Sequence, residues 1–136
     1  MKVVLSLFML LMRPACAGQF MGMEEPDKDG AIVYYYRPWK YTGAALSLDI
    51  MEDGVPVAEL GVNEYKVHRT NAGKKTASTE SGGAYDYVPF TAEKGKSYFV
   101  RAERTWEFTG ILGGVQIDLV PQEKALKEIQ KCGKVE

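Results

Sequence analysis

The sequence predicts an all-β fold, a single β-sandwich of about 7–8 short antiparallel strands with one C-terminal amphipathic helix. Short apolar runs alternate with polar residues, and turn signals recur about every 8–12 residues. Helical spacing of apolar residues appears only near the end of the chain, where Ala125, Leu126 and Ile129 share a face. With 136 residues and 26% charged side chains, the chain has the size and composition of one globular domain.

The first segment, MKVVLSLFMLLM, places Lys2 before ten apolar or small residues that end at Arg13 and Pro14. That layout predicts a signal peptide over residues 1–17. Ten residues span about 15 Å as a helix, half of a bilayer core, which argues against a transmembrane span. Removing the segment takes away Lys2 and Arg13 and leaves 15 basic against 18 acidic side chains. A mildly acidic domain of this kind is a poor nucleic-acid binder.

Three fates are open for Cys16. Small residues at Ala15 and Ala17 suit ordinary cleavage after Ala17, with Pro14 ending the signal helix. Lipidation of Cys16 fits Ala15 but not Arg13 and Pro14. A disulfide to Cys132 would require Cys16 to survive both processes; exported proteins admit such bonds. On residues alone, cleavage after Ala17 is favoured.

Residues 18–30, with MEEPDKDG, read as a flexible, exposed tether, and the sandwich is expected over 31–121. AIVYYYR (31–37) crowds aromatic and β-branched residues, with Ile32, Tyr34 and Tyr36 on one face. Residues 38–45 form a loop around Pro38 and Gly43. LSLDIM puts Leu46, Leu48 and Ile50 inward, EDG turns the chain, and VPVAEL returns as an edge strand marked by Pro56. EYKVHR follows, then a turn at TNAGK, where Asn71 and Gly73 suit positive φ. KKTASTE reads as a solvent-facing strand, and SGGA turns again. YDYVPFT, SYFVRAER and VQIDLV complete the set, and the helix occupies 122–132.

The ordered series IVYYYRPW, DIMEDGVPVAELGVNEY, NAGKKT, EKGKSYFVRAE and IDLVPQEKALKEIQKC resembles the bacterial envelope family known as domain of unknown function 2846. The resemblance covers about residues 16–132. It implies a small exported protein of the periplasm or outer membrane, and a sandwich of the transthyretin-like or PEGA-like kind. It also implies a lipobox cysteine at Cys16, so it speaks for lipidation where the local residues speak for cleavage. The family has no assigned enzyme activity.

No catalytic set emerges, and the protein is expected to be a non-catalytic envelope module without a cofactor or metal. His68 is the only histidine and has no second ligand or nucleophile beside it in sequence. Glu24 with Glu25, and Glu52 with Asp53, fall in tether or turn segments, which are wet and lack the desolvation that general acid–base work needs. DKDG supplies only half of a calcium loop, and GILGG precedes a strand, so it offers no helix N-terminus to an anion. Lys94, Lys96, Arg101 and Arg104, interrupted by Glu93 and Glu103, read as solvated strand surface.

The aromatic loops stand apart. RPWKY carries Trp39 and Tyr41, and RTWEF carries Trp106 and Phe108, at expected strand ends. Presented from a rigid sandwich, such rings hold protein or glycan partners, because they supply amphipathic area at small entropic cost. With Arg37, Lys40 and Arg104 they form the candidate partner-binding set. The alternative is that the rings plug the sandwich end or pack beneath the helix. A second way to engage a partner is strand addition at the VPVAEL edge.

Overall fold

The computed structural model describes residues 19–40, 45–106 and 113–136. The expected signal peptide, Cys16, Ala17, Tyr41 and Phe108 lie outside the described residues. Among the described residues the fold is all-β, two packed sheets with one short helix. The strands are β1 (Gly30–Arg37), β2 (Leu48–Glu52), β3 (Val55–Leu60), β4 (Glu64–Asn71), β5 (Gly73–Ser81), β6 (Ala84–Ala92), β7 (Ser97–Thr105), β8 (Gly114–Val120) and the two-residue β9 (Gly133–Lys134). Helix α1 covers Gln122–Ile129.

One sheet has the order β8-β7-β1-β4-β9, the other β3-β2-β5-β6. Most neighbours run antiparallel, but β1 pairs with β7, and β4 with β9, in parallel. A wholly antiparallel arrangement was expected. Local alternation identifies strands but does not say which distant strands meet.

Two cores result. Ala31, Val33 and Tyr35 of β1 face the second sheet, where they meet Leu48, Ile50, Leu60 and Phe90. Ile32, Tyr34 and Tyr36 face the other way, against Phe99, Ala125, Ile129 and Cys132. β1 is therefore buried on both sides, which accounts for its unbroken apolar and aromatic run. Central strands covered on both faces lose the polar alternation of half-exposed ones.

The residues read as a tether are docked at intervals along this second core. Phe20 sets its ring edge-on to Tyr34 and Tyr65, at centroid distances of 5.9 and 5.1 Å. The amides of Met21 and Glu24 donate to the hydroxyls of Tyr65 and Tyr34 at 3.2 and 2.6 Å. Several residues between and after these anchors remain exposed.

The EDG turn forms as its residues predict. Asp53 and Gly54 both take positive φ, 52° and 80°, as a two-residue hairpin between β2 and β3 requires. Asp53 also ties the hairpin to β5, accepting from the Thr76 amide at 2.8 Å. β3 lies at a sheet edge, as Pro56 suggested.

Three local expectations fail. Leu46 precedes β2 and is exposed. β5 is a central strand rather than a solvent-facing one, and Ala77, Ser78 and Thr79 are buried in it. Asn71 ends β4 without a positive φ; Gly73 alone takes one there, 135°, where the chain passes from one sheet to the other.

Candidate functional site

The parallel pairing of β1 with β7 sends both strands out at the same end of the sandwich. Trp39 follows β1 by two residues and Trp106 follows β7 by one. Both rings are exposed, at 59% and 70%, so neither plugs the sandwich end and Trp39 does not pack beneath the helix. Lys40 leans over β7, its Nζ 3.6 Å from Glu103 Oε2. Of the candidate set, Trp39 and Trp106 thus lie exposed at this end, with Lys40 half-exposed beside them.

The two arginines assigned to that surface lie beneath it instead. Arg37 is 2% exposed and Arg104 3%. Both point between the sheets, because each continues the inward-facing register of its strand after Tyr35 and Ala102. Arg37 Nη1 donates to the Leu46 carbonyl at 2.6 Å and to the Leu60 carbonyl at 3.0 Å. Arg104 Nη2 donates to the adjacent Ser47 carbonyl at 2.7 Å and to Ser81 Oγ at 2.8 Å. Two guanidinium groups therefore clamp the backbone that leads into β2.

Arg101, read as solvated surface together with Arg104, is also sequestered. It binds Glu128 of α1 at 2.7 Å and Asp118 of β8 at 3.3 Å. Burial opposes its charge, but Glu128, Glu103 and Asp118 outweigh that and raise its pKa. Glu128 also accepts from Tyr36 Oη at 2.6 Å. Burial first, then this bond, raises the Tyr36 phenol. Arg101, Glu128 and Tyr36 thus join the helix to the sheet.

Glu52, read as a wet turn residue, is 6% exposed inside the sandwich. It accepts from Tyr35 Oη at 2.6 Å and Thr70 Oγ1 at 2.8 Å, and lies 3.2 Å from His68 Nε2. Burial alone would raise its pKa, but His68, Tyr35 and Thr70 overcome that and hold it down near 2. A carboxylate so fully engaged is ill suited to proton transfer at neutral pH. Its partners come from β1 and β4, a juxtaposition no sequence motif announces.

Cys132 is a buried free thiol, and its Sγ faces the Arg37 carbonyl at 3.8 Å. Burial, with a contribution from Glu128, pushes its pKa up to about 12. Such a thiol is a core residue and not a nucleophile. Among the described residues, no three His, Cys, Asp or Glu side chains form a group that could hold a metal, and no helix is long and apolar enough to cross a membrane.

No family model and no curated protein matches the chain. The sandwich end with Trp39, Lys40 and Trp106 therefore stands as the candidate site on its geometry alone.

Proposed function

We propose that this protein is a non-catalytic, exported module of the bacterial cell envelope, akin to domain of unknown function 2846, that binds a protein or glycan partner through the end of its sandwich. The observation that carries the reading is the exposure of Trp39 and Trp106 at one end of two hydrogen-bonded strands. Exposed large aromatics on a rigid scaffold have little folding role and suit a partner that buries them. Arg37 and Arg104 would keep the platform stiff by holding the chain that enters β2.

The test compares capture of envelope components from the native host by the unaltered protein and by a Trp39→Ala/Trp106→Ala variant. Loss of capture at an unchanged melting temperature is the expected result. Equal capture by both proteins would overturn the reading.

Export belongs to the same proposal and rests on the layout of residues 1–17, with Cys16 either acylated or removed. Intact mass of the mature protein distinguishes a lipidated chain beginning at Cys16 from a chain beginning at Gly18. A mature chain that retains Met1 to Ala15 would overturn it.

A second reading is favoured by the edge position of β3. An extended partner strand could add there, although Pro56 and the register shift opposite it, between Ile50 and Met51, shorten the usable edge. A lysine at Val57 would then block binding that the tryptophan variant leaves intact.

A further inference from the structure

The outer face of the second sheet carries a row of charges that works against folding. Asp49 of β2 stands between Glu59 of β3 and Glu80 of β5, in register with both. All three are exposed, and among the described residues none of their carboxylates forms an ion pair or a hydrogen bond. Like charges placed directly opposite one another weaken a sheet. Lys74, on the same face of β5, lies on the order of 20 Å along the strand from Glu80. Arg104 reaches Ser81, but from between the sheets, and it pairs with none of the three.

The surroundings of the row are those of a binding groove. Asp49, Glu59 and Glu80, with Met51 and Pro56, line an open groove of about 730 Å³. The neighbouring strand extends the face with Tyr85, opposite Glu80, and Tyr87, opposite Ser78. Both rings are 57% exposed, and their centroids lie 6.0 Å apart. Ser78 follows the core residue Ala77 and so faces outward, between Met51 and Tyr87. It is only 5% exposed, yet its hydroxyl has no hydrogen-bond partner among the described residues. A polar group so enclosed and unpartnered marks a place where a ligand group can bond.

We propose that this face docks a cationic protein segment, an extended stretch that bears arginine or lysine side chains. Charge complementarity selects the occupant, because a row of carboxylates without counter-ions attracts cations and repels acidic partners. The carboxylates do not form a group that could hold a metal ion. An arginine suits the face best: its planar fork matches a carboxylate, and the same plane stacks on a tyrosine ring. Met51 and Pro56 offer apolar surface to the aliphatic stems. Trp39 and Trp106 follow strands of the other sheet, so this face can bind whether or not the tryptophan end does.

The experiment titrates the full chain into a fluorescently labelled oligoarginine peptide at low ionic strength and follows anisotropy. Asp49→Asn/Glu80→Gln should lose about tenfold in affinity. Glu25→Gln/Glu123→Gln removes the same charge from exposed carboxylates elsewhere and should lose no more than about twofold. Tyr85→Ser/Tyr87→Ser, which changes no charge, should weaken binding several-fold. An equal loss in the two carboxylate variants would reduce the effect to net charge and overturn the proposal. Undiminished binding by Asp49→Asn/Glu80→Gln or by the tyrosine variant would overturn it as well.

Thermal unfolding checks the variants, and Asp49→Asn/Glu80→Gln should melt roughly 1–4 °C above the unaltered protein, because the repulsion across the row is relieved. Should a variant fail to fold, amide NMR of the unaltered protein decides. The peptide should move signals of β2, β3, β5 and β6 more than those of the first sheet. Shifts spread evenly over both sheets, or confined to the first, overturn the proposal. A neutral oligosaccharide that moves the signals of the second sheet, where the peptide moves none, assigns the face to a glycan and overturns the cationic partner.

Discussion

Tyr35 donates its phenolic hydrogen to Glu52 Oε1 at 2.6 Å, joining the centre of one sheet to the turn end of the other. Thr70 and His68 from the next strand complete the set around the same carboxylate. The expected consequence is a strong acid dependence of stability. Glu52 has a folded pKa near 2, depressed from its ordinary 4.5. Its contribution is therefore present above about pH 4.5 and lost as the pH falls through the folded pKa. The depression corresponds to about 3 kcal/mol. Denaturant titrations of the unaltered protein and Glu52→Gln should differ at pH 6 by about that amount and converge towards pH 2. A constant difference would show that the carboxylate's charge is not what matters.

The docking of residues 19–24 yields a second expectation. Phe20→Ala removes a ring that packs against Tyr34 and Tyr65, and should cost about 1–3 kcal/mol for a partly buried phenylalanine. Hydrogen exchange at the Met21 and Glu24 amides should accelerate together, since their acceptors are those two tyrosines. Exchange that is already fast in the unaltered protein would mean that the segment is not held.

Cys132 should resist alkylation. With its thiol fully buried and its pKa near 12, the thiolate population at pH 8 is about one part in ten thousand. Iodoacetamide labelling of the Cys132 peptide, followed by mass spectrometry, should be negligible in the folded protein and complete in guanidinium chloride. Rapid labelling of the native protein would contradict the burial.

Glu128→Ala should loosen the helix without unfolding the sandwich. It removes the acceptor shared by Tyr36 and Arg101, both 2.6–2.7 Å away. These groups are only partly shielded, so a loss of about 1–2 kcal/mol is expected. Exchange in Gln122–Ile129 should quicken more than in β5, which lies in the opposite sheet.

The strands were legible where one face meets solvent. Leu48 and Ile50 alternate with Asp49, and the Asp53-Gly54 turn follows directly from residues that tolerate positive φ. What stayed hidden depends on long-range partners. Arg37 and Arg104 look like strand-end surface cations, yet backbone carbonyls of Leu46, Ser47 and Leu60 draw them inside. The Ala-Ser-Thr run of β5 looks solvated, but small hydroxyl side chains can be buried once bonded, as Thr79 Oγ1 is to the Asp49 carbonyl. In the candidate site, the strand-end positions of Trp39 and Trp106 were legible, while their exposure and the burial of Arg37 and Arg104 beneath them were not.

Both tryptophans of the chain lie at the end assigned to binding. Intrinsic tryptophan fluorescence therefore reports on that end alone. The decisive measurement is acrylamide quenching of the full chain, free and then saturated with the component it captures from its host's envelope. Quenching should be efficient in the free protein and fall at least several-fold in the complex, with a blue-shifted emission. A saturated complex in which both tryptophans remain as accessible as in the free protein would contradict binding through this end.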